Sequence, residues 1–144
     1  MLKLMGAIVG ALALFAVSAQ AGQPHRLALQ ISDNTPEKMN AVLNVAANVS
    51  KYYADKGEEV EIQIIAFNAG LHMLREDTSP VKPRIASLAK SIPNVSFKAC
   101  QNTIDGMTKR EGKDIPIVAE ADRVPSGAVR LIELSETGWT ILRP

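Results

Sequence analysis

Five short apolar segments with strand-like patterning are separated by four stretches with helix-like patterning, and no other feature of the chain restricts its fold as much. The first strand is predicted over Arg26–Ser32, where Leu27, Leu29 and Ile31 fall on one face. The second, Val60–Phe67, begins with alternation and ends as a continuous apolar run, the pattern of a strand buried on both faces. The third joins Val95, Phe97 and Ala99 and ends at Cys100. Glu120–Val124 is a short fourth and Trp139–Arg143 a fifth. Strands that alternate with helices must be joined by crossovers. The order therefore predicts an α/β fold, three-layer α/β/α, with a parallel sheet of about five strands and helices on both faces.

The intervening segments carry their own signals. Pro36 to about Asp55 places Met39, Val42, Leu43, Ala46, Val49 and Tyr53 at three- and four-residue spacing. Thr35 is a natural N-cap, Pro36 suits the first helical turn, and Gly57 is a natural stop. Asn40, Asn44 and Asn48 line a more polar side of that helix, the mark of a solvated or subunit-facing surface. Gly70 offers conformational freedom where the chain turns into Leu71–Arg75. Helices follow over Val81–Ser91, about Asn102–Arg110, and Pro125 through Leu134.

The start of the chain reads as an export signal. Lys3 precedes an apolar run from Leu4 to Val17, and Ala19-Gln20-Ala21 is a small-x-small cleavage sequence. The run is shorter than the roughly 20 residues a bilayer span needs. This divides the chain into a signal peptide, residues 1–21, and one domain, residues 22–144, with no membrane association after cleavage and a periplasmic destination. His25 falls in the expected disordered start of the mature chain. A domain of this size buries roughly two thirds of its unfolded surface without metals or disulfides. The formal net charge of +1 drops to zero once Lys3 is removed, and no basic run is present. Nucleic acid and anionic membrane are therefore not expected partners.

Few residues carry chemistry. The phosphate-loop, dinucleotide-binding and nucleophile-elbow signatures are missing, as is Cys-x-x-Cys, which excludes a dithiol mechanism within one chain. Two histidines and one cysteine do not supply the three or four ligands of a zinc site, so neither a metal nor another cofactor is expected. Cys100 stands apart because it closes a strand and precedes a helix. Ligand chemistry in open α/β sheets gathers at that edge, and the positive end of a helix favours a thiolate. Asp33, Asn68, Gly70, His72, Asn102 and Thr103 follow strand ends and are expected at the same edge. Each has a plainer reading: Asn102 and Thr103 as helix caps, Asn68 and Gly70 as turn residues, Cys100 as a small apolar group closing the core.

Several segments together resemble the small exported members of the DsrE/DsrF-like family. They are the opening strand with Asp33 to Asn40, Glu61-Ile-Gln-Ile-Ile-Ala-Phe-Asn-Ala-Gly70 with Met73-Leu74, and Phe97-Lys-Ala-Cys-Gln-Asn-Thr103. Val124-Pro-Ser-Gly-Ala-Val129 and the closing Gly138-Trp-Thr-Ile-Leu-Arg-Pro144 complete the set. The resemblance implies a five-stranded parallel sheet and a homo-oligomer, a trimer or hexamer. It also implies that Cys100 matches the cysteine that carries a persulfide in the sulfur-relay branch, with a sulfur donor or acceptor protein as partner. The expectation is a periplasmic protein of sulfur or thiol chemistry with Cys100 as acceptor. The alternative is a non-catalytic oligomeric module that binds a small ligand or a protein.

Overall fold

A computed structural model describes residues 22–144; the signal peptide expected over residues 1–21 lies outside the described residues. The elements are β1 (His25–Ile31), α1 (Pro36–Asp55), β2 (Val60–Ala66), a 3-10 segment (Asn68–Leu74), α2 (Lys82–Ser91), β3 (Val95–Cys100), α3 (Gln101–Glu111), β4 (Ala121–Val124), α4 (Gly127–Glu136) and β5 (Thr140–Leu142). The five strands form one parallel sheet in the order β4-β3-β2-β1-β5. The fold is a three-layer α/β/α sandwich, as the segment order predicts.

Its two helical layers are unequal, for a topological reason. The connections from β1 through β4 all step in one direction along the sheet. Right-handed crossovers then put α1, α2 and α3 on one face. The last connection runs back across the whole sheet to β5, so the same handedness puts α4 on the other face. The packing follows this division. Leu27, Leu29, Ile31, Ile62, Ile64 and Phe97 meet Met39, Leu43, Ile85, Ile104 and Met107 in the larger core. Ala28 and Ile65 point the other way and meet Leu134, with Phe67, Leu131, Trp139 and Ile141 packed around them.

Local signals explain the element ends. Thr35 caps α1, its hydroxyl accepting from Lys38 N–H at 3.3 Å. Ser126 caps α4 in the same way, from Val129 N–H at 3.4 Å. Gly112 ends α3 in the left-handed conformation that glycine adopts without a Cβ penalty. Asn40 and Asn44 both accept from the Arg84 guanidinium on α2, so two of the three residues in the asparagine row join helices within the chain. Asn48 is exposed and makes no such link. Asn94 is likewise engaged, donating to the Val60 carbonyl at 2.7 Å and accepting from the buried Ser50 hydroxyl at 3.2 Å.

Three expectations are corrected. His25 begins β1 rather than lying in a disordered start: its ring stacks on Tyr53 at 3.9 Å, and its Nε2 is 2.8 Å from Glu58. Gly70 has no left-handed backbone; it is needed because the 3-10 segment runs against the end of β1. β5 is shorter than Trp139–Arg143, because Trp139 turns into the smaller core and its N–H donates to the Leu134 carbonyl.

Candidate functional site

Adjacent strands whose outgoing connections leave to opposite faces open a crevice at their carboxyl ends. Here those strands are β3 and β4: the chain leaves β3 into α3 on one face and leaves β4 into α4 on the other. Cys100, the last residue of β3, sits at that point. Alternation along β3 gives Val95, Phe97 and Ala99 to the larger core and turns Cys100 toward the α4 side. The thiol is 4% exposed and is the N-cap residue of α3, without a capping hydrogen bond from its side chain.

An open cavity of about 330 Å³ lies over Cys100. Phe67 and Asn68 line it from the end of β2, and Asn102, Thr103, Gly106 and Arg110 from α3. Ser126 and Ala128 line it from the start of α4. Two hydrogen bonds hold these three junctions together. Asn68 N–H donates to Thr103 Oγ1 at 3.0 Å, and Asn102 N–H donates to the Pro125 carbonyl at 3.3 Å. Thr103 therefore does not cap its own helix, as expected from its position; its hydroxyl fixes the first residue of the 3-10 segment. Asn68 adopts φ 50°, a left-handed conformation that asparagine tolerates better than most residues.

Four of the seven sequence-derived site residues thus gather: Cys100, Asn68, Asn102 and Thr103. Asp33, Gly70 and His72 do not line the cavity. Asp33 follows β1, which the sheet order separates from β3 by the width of β2. Its carboxylate accepts from Arg143 at 3.0 Å and holds the end of the chain to the β1–α1 loop. Gly70 is buried against the Ile31 and Ser32 backbone. His72 lies half-buried within the 3-10 segment, beyond the part that faces Cys100.

The residue reading also missed two arginines. Arg110 borders the cavity although no basic residue directly follows the cysteine. Thr103, Gly106 and Arg110 are spaced three and four apart, which puts them on one stripe of α3; that spacing is the signal that finds it. Arg75 is 2% exposed and follows the buried Met73 and Leu74. Its Nε and Nη2 donate to Asp77 at 2.9 and 2.8 Å, and its Nη1 and Nη2 donate to Glu111 at 2.5 and 3.0 Å. These bonds raise the Arg75 pKa and hold both carboxylates below the usual carboxylate range. The cluster lies at the far end of α3 from Cys100. It sets the position of the helix and does not face the cavity.

The arrangement offers one sulfur nucleophile, the starts of two helices and one cation around a small opening. Among the described residues no three His, Cys, Asp or Glu side chains gather as a metal-binding group.

No protein-family model matches the chain, and no curated protein matches it. Among solved structures, it is similar to MTH1491, a protein of unknown function from Methanobacterium thermoautotrophicum. The two share 24% identity over 83% of this chain and 99% of that one, with a TM-score of 0.71. This likeness extends the three-layer fold to a second protein and carries no activity with it.

Proposed function

We propose that the chain is a DsrE-like protein of sulfur or thiol chemistry in which Cys100 accepts sulfur and hands it on. The observation that supports this reading best is the position of the only cysteine, under an open cavity where the β3 and β4 connections diverge. The Cys100 thiol gives its proton to water, and the thiolate attacks the sulfane sulfur of a donor. A Cys–S–S⁻ bond forms as the donor's bond to that sulfur breaks, its electron pair leaving with the donor group. An acceptor thiolate then takes the outer sulfur and frees the Cys100 thiolate. Sulfur moves at one oxidation level, so no external oxidant enters. Asn68, Asn102 and Thr103 wall the cavity, and the first amides of α3 stabilise the anionic sulfur.

The expected result is one added sulfur on Cys100, found by persulfide trapping and mass spectrometry after incubation with a sulfane-sulfur donor. Cys100→Ser gains none. A folded protein whose thiol stays unmodified would remove this reading. The near-complete burial of Cys100 favours a second one, a binding module without sulfur transfer. Under that reading Cys100→Ser keeps full ligand binding.

Export to the periplasm belongs to the same proposal and rests on residues 1–21. So does assembly into a homo-oligomer, a trimer or hexamer. Val129 and Ile132 on α4 are 51% and 57% exposed, apolar area that a second copy would cover. Light scattering is expected to give a multiple of the chain mass, and a strict monomer would remove this part.

A further inference from the structure

We infer that the groove between α1 and β5 is a second binding site, for a small amphipathic carboxylate. The apolar body of the ligand lies along the groove and its carboxylate meets Arg26. The site goes beyond the sulfur reading and is independent of Cys100. It lies where β1, β2 and β5 begin, at the opposite edge of the sheet from the end of β3.

The fold opens this groove because its edge strand outruns its helices. α1 packs across β1 and β2, and β5 lies beyond it. Alternation along β5 gives Ile141 to the smaller core and turns Thr140 and Leu142 to the α1 side. Leu142 is 45% exposed there. The resulting cavity of about 600 Å³ is bordered by Val49 and Tyr53 of α1, Leu27 of β1, and Thr140 and Leu142 of β5. It is nearly twice the size of the Cys100 cavity. Small-molecule sites have this size and this make-up, mostly apolar with a few polar groups that fix orientation.

Arg26 gives the groove its sign. No aspartate or glutamate borders it, and Arg26 is its only permanently charged side chain. The Arg26 Nε is buried without a hydrogen bond, alone in this among the buried side-chain nitrogens and oxygens of the described residues. The Glu61 carboxylate stands 3.9 Å from it, beyond hydrogen-bond reach, and is itself 52% exposed. A buried donor without an acceptor is costly, and a ligand carboxylate supplies the acceptor. His25 also borders the groove but is already engaged, its ring stacked on Tyr53 and its Nε2 2.8 Å from Glu58. It steadies the Tyr53 wall and leaves the charge of the ligand to Arg26.

The test uses two fluorescent probes that share a ring system and differ by one anionic group, 8-anilinonaphthalene-1-sulfonate and N-phenyl-1-naphthylamine. Decanoate is the competing carboxylate. Wild-type protein is expected to bind both dyes and to release both to decanoate. Arg26→Gln should weaken the anionic dye and decanoate about tenfold, the loss of one charge-assisted contact. Its affinity for the neutral dye should change less than twofold. Val49→Trp fills the groove and should weaken all three. Leu142→Glu, at a partly exposed position outside the core, should weaken the two anions by adding a like charge. Cys100→Ser and Arg110→Gln should bind as wild type does, which separates this site from the sulfur reading. No dye binding, or no displacement by decanoate, would overturn the inference. Equal weakening of both dyes in Arg26→Gln would overturn it too, because Arg26 would then only support the groove. Binding that survives both Val49→Trp and Leu142→Glu, or that falls with Arg110→Gln, would put the dyes elsewhere and overturn it as well.

Discussion

Gly70→Ala is expected to cost about 3–5 kcal/mol and to loosen the wall of the Cys100 cavity. A Cβ on residue 70 would stand 2.8 Å from Ser32 N and closer still to the Ile31 carbonyl. Both are backbone atoms, and neither is free to move. The Ile31 carbonyl accepts from Phe67 N–H at 3.2 Å, and Gly70 N–H donates to the Phe67 carbonyl at 3.0 Å. Relief of the clash would have to swing the whole 3-10 segment, which begins at Asn68. The bond from Asn68 N–H to Thr103 Oγ1 would be strained with it, and the cavity would change shape. Gly106→Ala is the matched control, since its Cβ would meet only the mobile end of Arg110 at 3.5 Å. There the gain in helix propensity should stabilise by up to about 1 kcal/mol. Urea midpoints for the three proteins check this directly. A Gly70→Ala midpoint within about 1 kcal/mol of wild type would show that the segment yields more easily than its packing implies.

The fold was legible because its elements declare their period. α1 carries five features that agree: a cap, a first-turn proline, a regular apolar stripe, a polar side and a closing glycine. Val60–Phe67 alternates at first and ends in the apolar run Ile64–Phe67, the pattern of a strand covered on both faces. Strand order is a different kind of information. It depends on which neighbour each crossover selects, and no single segment encodes that choice. From the alternation alone, all strand ends share one edge, so Asp33 and His72 look as close to Cys100 as Asn68 does. The order β4-β3-β2-β1-β5 separates Asp33 from Cys100 by the width of β2, and the 3-10 segment that begins at Asn68 carries His72 away from it.

The missed residues share a cause. A charged side chain in sequence reads as solvated, because burial of an isolated charge is costly. Arg75 escapes that cost through partners that are distant in sequence or look like loop charges: Asp77 two residues on and Glu111 thirty-six residues on. Arg110 was hidden differently. Its tie to Cys100 follows helix periodicity, not adjacency in sequence. In sequence Gly70 reads as a point of conformational freedom, whereas its constraint is the approach of another strand's backbone. Only the packed chain reveals that constraint.

Arg75→Ala should destabilise by about 3–5 kcal/mol, since it breaks a buried ion-pair cluster and empties a fully buried site. The cluster closes a joint in the main chain. Glu76 N–H donates to the Pro116 carbonyl and Val118 N–H to the Leu74 carbonyl, each at 2.9 Å, pairing the two segments around Arg75 and Ile117. Glu111 is the last residue of α3, so the guanidinium fixes one end of the helix whose other end begins at Cys100. Arg75→Met should cost less, because it refills the space and the two carboxylates, partly exposed, regain water. The acid response separates charge from packing. Asp77 and Glu111 lie below their ordinary values of 3.8 and 4.5 in the folded protein, chiefly through the Arg75 hydrogen bonds. A carboxylate lowered by folding contributes stability that is full above its ordinary value and lost as pH falls through the folded one. Wild-type urea midpoints should therefore decline from about pH 4.5 downward. In Arg75→Met most of that part of the decline should vanish, leaving the smaller share that Lys113, 3.2 Å from Asp77, still holds. An acid decline as steep in Arg75→Met as in wild type would mean that other carboxylates carry it. Arg75 would then position α3 by its shape alone.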